Sequence, residues 1–253
     1  MFYKRLLPLF IPLLIWVLVQ IFYFNPKLVY VVLVLSNMAL FYVLWQFTRS
    51  SNIDHKWWNY LILPSFLLSF AVLFSLFVQD KILIQLIFIV LSIFLYIYLK
   101  YSFYCLLEPM SYREDSMSNI SSYLNFTTFF LLASVAYGLQ SFLNFSVLML
   151  SFVVLVASFL LIYQIIWANK INFQRGLIYI LIGCLIIVEL AWSISFLPFN
   201  YMAAGLMLAI CYYVLTNLIK NYLLDELDGK KIKTHLFIGL AGIVLILLTS
   251  RWL

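Results

Sequence analysis

The chain has 253 residues, 66% of them hydrophobic and only 9% charged, with a mean hydropathy of +1.10 and a formal net charge of +6. A water-soluble domain carries about 25% charged residues, so this composition excludes soluble enzymes and nucleic-acid-binding modules and points to a bilayer as the solvent. A membrane β-barrel would alternate apolar and polar residues, whereas residues 82–99 are apolar almost throughout, and helices are the remaining way to cross with every backbone group satisfied.

A hydrocarbon core of about 30 Å takes about 20 helical residues to cross, and apolar runs of that length recur along the chain between charges, prolines, asparagines and aromatic clusters. The first, at 6–24, follows Lys4 and Arg5. It is longer than a secretory signal core, contains Pro8 and Pro12 and lacks a small-residue cleavage site, so a retained span is expected. Spans at 28–47, 60–78 and 82–101 follow, with Trp57 and Trp58 at the start of the third and Tyr96, Tyr98, Tyr101 and Tyr104 around the end of the fourth, where headgroup-level anchors belong. The loop after Leu107 contains Ser111-Tyr112-Arg113-Glu114, a capping-box pattern that predicts a short interfacial helix. Further spans are expected at 123–142, 147–167, 177–197, 201–220 and 234–251. The fold class that follows is an all-α integral membrane protein of about nine transmembrane helices, four short-turn hairpins plus a final helix, in a single polytopic domain over residues 1–253.

Orientation follows from basic residues, which collect in cytoplasmic loops. With the amino terminus inside, Lys4, Arg5, Arg49, Lys56, Lys100, Arg113, Lys170, Arg175, Lys220, Lys230, Lys231 and Lys233 lie on the cytoplasmic side, twelve of the fifteen Lys and Arg. Only Lys27, Lys81 and Arg251 fall on the other side. The expected location is therefore the cytoplasmic membrane, with the amino terminus in the cytoplasm and the carboxyl terminus outside. The basic face favours anionic lipid.

Glu189, inside the seventh span, is the strongest local anomaly, because a carboxylate in hydrocarbon costs a few kcal/mol even on lenient scales. Trp192 and Ser193, at i+3 and i+4, share its face. Asn125, Gln140, Gln164 and Asn217 in other spans complete a candidate intramembrane polar site. Either these amides bind the neutral carboxyl and orient the bundle, or the set lines a polar cavity with a proton or cation relay at Glu189. Small residues at Ser134-x-x-x-Gly138 and Gly205-x-x-x-Ala209 permit close helix approach. Asp225, Glu226 and Asp228 precede Lys230, Lys231, Lys233 and His235, which fits a solvated charged turn better than a divalent-cation site. The two histidines, His55 and His235, fall in inner loops. No nucleophile, base and acid can be assembled within the spans, no Gly-rich phosphate loop is present, and Cys105, Cys184 and Cys211 lack paired spacing. No cofactor or metal is therefore expected.

The carboxyl-terminal third, in Glu189-x-x-Trp192, Phe196-Leu197-Pro198-Phe199, Tyr212-Tyr213 and Thr249-Ser250-Arg251-Trp252, resembles an uncharacterised family of polytopic membrane proteins from candidate-phylum bacteria, defined as a domain of unknown function. The resemblance implies a bacterial cytoplasmic membrane protein and carries no activity. Three functions fit the residues. The first is a non-enzymatic scaffold or assembly component with a membrane-protein partner. The second is a carrier or flippase for a lipid or small amphiphile, using a polar cavity near Glu189. The third is a lipid-modifying enzyme acting at the inner loops.

Overall fold

The structure, a computed structural model, describes residues 2–51, 57–108 and 116–249. Those residues form nine long helices, one short 3-10 turn and no strand. The helices are α1 (Phe2–Phe24), α2 (Val29–Ser50), α3 (Trp57–Ser75), α4 (Lys81–Leu107), α5 (Ser116–Leu143), α6 (Val147–Ala168), α7 (Phe173–Ile194), α8 (Tyr201–Leu223) and α9 (Gly229–Thr249). All nine are long and apolar enough to cross a membrane.

Local chemistry sets the helix ends. Asp80 begins α4 by accepting a hydrogen bond from the Ile82 amide at 2.8 Å, and Asn172 begins α7 by accepting one from the Gln174 amide at 3.0 Å. α6 and α8 end on left-handed residues, Lys170 and Asp225, each with φ 56°. The next amide in each case returns to a carbonyl five residues back, Ile171 to Ile166 at 3.1 Å and Glu226 to Asn221 at 2.9 Å, which satisfies carbonyls the helix leaves open.

Helices outrun the apolar segments at several ends. α4 continues past Tyr101 to Leu107, its 27 residues spanning about 40 Å; Lys100 lies within it, its ammonium 5.5 Å from the Tyr96 ring centre. α9 starts at Gly229, so Lys230, Lys231 and Lys233 occupy its first turns instead of a loop. A charge ends a hydropathy window without ending a helix, because a long basic side chain can lie along its own helix and keep its head in water. The capping-box residues 111–114 lie outside the described residues.

The chain divides into two compact units, residues 1–124 and 125–253, and the boundary falls within α5. In the first, α1 packs on α4 and α2, and α3 packs on α2 and α4. Leu40, Leu44, Phe47, Leu63, Leu68 and Leu95 are fully buried there. Gln20 of α1 and Gln85 of α4 exchange hydrogen bonds of 2.7 and 3.1 Å, and the buried Tyr98 hydroxyl donates to the Tyr60 carbonyl at 2.8 Å. Arg5 meets Glu108 at 2.6 Å, which brings the start of α1 and the end of α4 to the same end of the unit.

In the second unit, α7 packs between α6 and α8, and α9 packs on α8. The small-residue stretches of α5 and α8 meet. A Cβ on Gly205 would come within 2.7 Å of the Ser134 backbone nitrogen and 2.8 Å of its Cα. α9 is the least buried of the nine helices, and it meets α8 through Gly239 against Val214 and Gly242 against Ile210.

Backbone atoms cannot yield to the extra methyl, so Gly205→Ala is expected to destabilise the fold by about 1–3 kcal/mol or more. Gly229, with nothing within 4 Å of its would-be Cβ, should accept alanine without loss. Unfolding in mixed detergent micelles measures both.

Candidate functional site

A fully buried polar node in the second unit joins three helices. Asn125 and Gln164 are 0% exposed and Tyr212 is 1% exposed. The Asn125 amide nitrogen donates to the Leu161 carbonyl at 2.9 Å and to the Gln164 side-chain oxygen at 3.2 Å. Its oxygen accepts from the Tyr212 hydroxyl at 2.6 Å. Tyr212 is held flat on Phe129, ring centres 3.8 Å apart and planes 4° from parallel. An amide in apolar surroundings is costly unless its donors and acceptor are matched, and Asn125 uses both ends. Its role is to lock α5, α6 and α8 into one register.

A second bond sets the rotation of α7. The buried Tyr137 hydroxyl of α5 donates to the Ala191 carbonyl at 2.9 Å. The inward face of α7 runs through Gly176, Ile180, Gly183, Ile187, Ala191 and Ile194. A Cβ on Gly183 would meet Ile162 of α6 and Leu215 and Ile219 of α8 within 3.7 Å. Two residues from Ala191 is about 200° around a helix, so Glu189 points the opposite way, outward.

Glu189 is exposed, as are Trp192, at 53%, and Ser193. Among the described residues its carboxyl has no hydrogen bond or ion pair; the Ser193 hydroxyl donates to the Glu189 backbone carbonyl at 2.8 Å. Trp192 packs edge-on against Phe196, ring centres 5.3 Å apart. Because α7 is Phe173–Ile194, shifted from the expected 177–197, Glu189 lies about 8 Å from the helix midpoint toward its Ile194 end, still within a hydrocarbon core of about 30 Å.

Of the residues singled out from the sequence, the structure joins Asn125 and Gln164 and adds Tyr212, a partner that sequence reasoning missed. Tyr212 was visible there only as part of a Tyr-Tyr pair. Asn217 donates to the Tyr213 carbonyl of its own helix at 2.8 Å. Gln140 is half-buried near the end of α5. Glu189, Trp192 and Ser193 form a separate outward group.

Elsewhere the first unit carries an open apolar groove of about 430 Å³ between α2 and α3, where Asn37 and Ser65 are polar lining residues. At the start of α9, Lys231 bonds Glu226 at 2.9 Å. That hydrogen bond and charge hold the Glu226 carboxyl below its usual range. A lowered folded value means that the pair's contribution to stability is present above the unfolded carboxylate range and is lost as pH falls through the lowered one. No three His, Cys, Asp or Glu side chains converge as a metal set among the described residues.

Residues 28–249 match the family described as a protein of unknown function, DUF5656, and the chain belongs to that family. The match extends well beyond the carboxyl-terminal third. No curated protein and no solved structure matches the chain.

Loss of the node should cost what loss of the outward carboxyl does not. Asn125→Ala strands the Tyr212 hydroxyl and removes the bond to Gln164, and about 1–3 kcal/mol of destabilisation is expected. Glu189→Ala should stay within about 0.5 kcal/mol in the isolated protomer. Unfolding of purified variants at high detergent dilution measures the difference.

Proposed function

We propose that this member of the DUF5656 family is a non-enzymatic, multi-spanning component of the bacterial cytoplasmic membrane that works by holding a membrane-protein partner. The observation that carries this reading is the placement of Glu189. A carboxyl facing hydrocarbon costs a few kcal/mol, and four of the bundle's own amides are engaged elsewhere: Asn125 with Gln164 and Tyr212, Gln20 with Gln85. A partner helix bringing a hydrogen-bonding group to the same depth would remove that cost. The contact then forms only with the matching surface, which is the requirement on an assembly component.

In this reading the amino terminus is cytoplasmic and the carboxyl terminus lies outside, because the basic residues concentrate on one set of turns. Lys230 and Lys233, exposed on the first turns of α9, then attract anionic lipid at the cytoplasmic face, at about 1 kcal/mol per basic residue.

Affinity purification in mild detergent tests the assembly role. A stoichiometric partner chain, either another membrane protein or a second copy, is expected, and recovery of a lone single copy would overturn it. Threading has its own check. A maleimide that cannot cross membranes should label Gln79→Cys in intact spheroplasts and Gln174→Cys only after permeabilisation; the reverse pattern would invert the topology.

A further inference from the structure

Between α2 and α3 the first unit holds polar groups that its own helices leave unmatched. Asn37 lies about 4 Å from the midpoint of α2 and Ser65 about 1.5 Å from the midpoint of α3. Both therefore sit at the centre of their spans, and both line the groove of about 430 Å³. The Asn37 side-chain nitrogen donates to the Leu33 carbonyl at 2.9 Å and to the Ser69 hydroxyl at 3.4 Å. A carbonyl only accepts, which fixes that end of the amide as the nitrogen. The Asn37 side-chain oxygen has no donor among the described residues. Ser65 lies one turn from Ser69 on the same face of α3, and its hydroxyl makes no hydrogen bond among them either.

Serines elsewhere in the spans are satisfied within their own helices: Ser92, Ser122 and Ser193 each donate to the carbonyl four residues back. Ser36, Ser134 and Ser158 lack a partner as Ser65 does, but they are enclosed by the bundle, whereas Ser65 lines an opening. The neighbouring break in α3 has been repaired on its other side. Pro64 has no N–H to give the Tyr60 carbonyl, and the Tyr98 hydroxyl of α4 takes that carbonyl at 2.8 Å. Nothing equivalent reaches Ser65 on the α2 side.

We propose that this groove is a binding site for a lipid-soluble alcohol, a neutral and largely apolar molecule that brings one hydroxyl to the middle of the membrane. Unmatched polar groups in hydrocarbon are costly, and a hydroxyl both donates and accepts, so it can give its hydrogen to the Asn37 oxygen and take one from Ser65. A ketone or ester would leave the Asn37 oxygen bare, and a charged group would find no counter-charge in the lining. Phospholipid headgroups belong at the interface, about 15 Å from this depth, and their acyl chains offer no hydrogen bond. The apolar remainder of the alcohol has Leu33, Leu61 and Phe41 to pack on, with Phe41 fixed edge-on to Trp57 at 4.9 Å between ring centres. The groove falls within the range of about 300–1,000 Å³ usual for small-molecule sites. A transmembrane helix, about 10 Å across and crossing about 30 Å, is several times larger. The site belongs to a different unit from Glu189 and stands or falls without the assembly reading.

Photolabelling of the full chain in lipid nanodiscs tests the site, using a medium-chain alkyl diazirine alcohol and the matched hydrocarbon in which a methyl replaces the hydroxyl. The alcohol is expected to label the groove residues Met38, Phe41 or Leu61 saturably, and unlabelled octanol should displace it where an alkane of equal length does not. Ser65→Ala should lower that saturable labelling about 3- to 30-fold, the range for one hydrogen bond inside a membrane. Ser92→Ala should leave it unchanged, because Ser92 is bonded within its own helix. Equal labelling by the two probes, or alcohol labelling indifferent to Ser65→Ala, would overturn the site. Labelling that appears only once a copurifying membrane protein is stripped away would give the groove to a partner helix and overturn it as well. The comparison of alcohol with hydrocarbon is made on the unaltered chain and does not depend on the folding of any variant.

Discussion

Apolar surroundings tolerate a polar side chain only where its hydrogen bonds are made, and the arrangement around Asn125 is where that constraint acts most fully. One side-chain amide takes a hydroxyl from α8 and gives its hydrogens to a backbone carbonyl and a glutamine on α6. Apolar packing alone would leave such helices free to slide and turn, since lipid tails are as good a neighbour as leucine. The amide removes that freedom in the second unit. In the first, the reciprocal Gln20–Gln85 bonds link α1 to α4. Close contact follows where residues are small enough, as at Gly205 against Ser134.

The same constraint gives Glu189 its meaning. With the Ala191 carbonyl engaged by Tyr137 and Gly183 pressed between α6 and α8, α7 cannot rotate its carboxyl inward without breaking a buried bond and that close packing. The acid is held outside by interactions that do not involve it.

Much of the architecture was legible in the sequence because crossing a bilayer demands long apolar runs, and nine such runs have no other use. Helix ends were less legible. The window closed at Tyr101 and opened at Thr234, while α4 runs on to Leu107 and α9 begins at Gly229, because lysines and tyrosines near an interface can remain helical. Rotation was not legible at all. A helix apolar on every side has no stripe from which to read its buried face, so the sequence marked Glu189, Asn125 and Gln164 as unusual without showing that two of them pair and the third turns away. Tyr212 was missed because a tyrosine in a span is unremarkable until its hydroxyl has a partner.

The rotation of α7 carries the whole account, and a structure of the protein in lipid nanodiscs that resolves its side chains measures it most directly. The expected result is the Tyr137 hydroxyl on the Ala191 carbonyl, with the Glu189 carboxyl directed away from its own bundle. A Glu189 carboxyl found inside, bonded to Asn125, Gln164 or Tyr212, would contradict it.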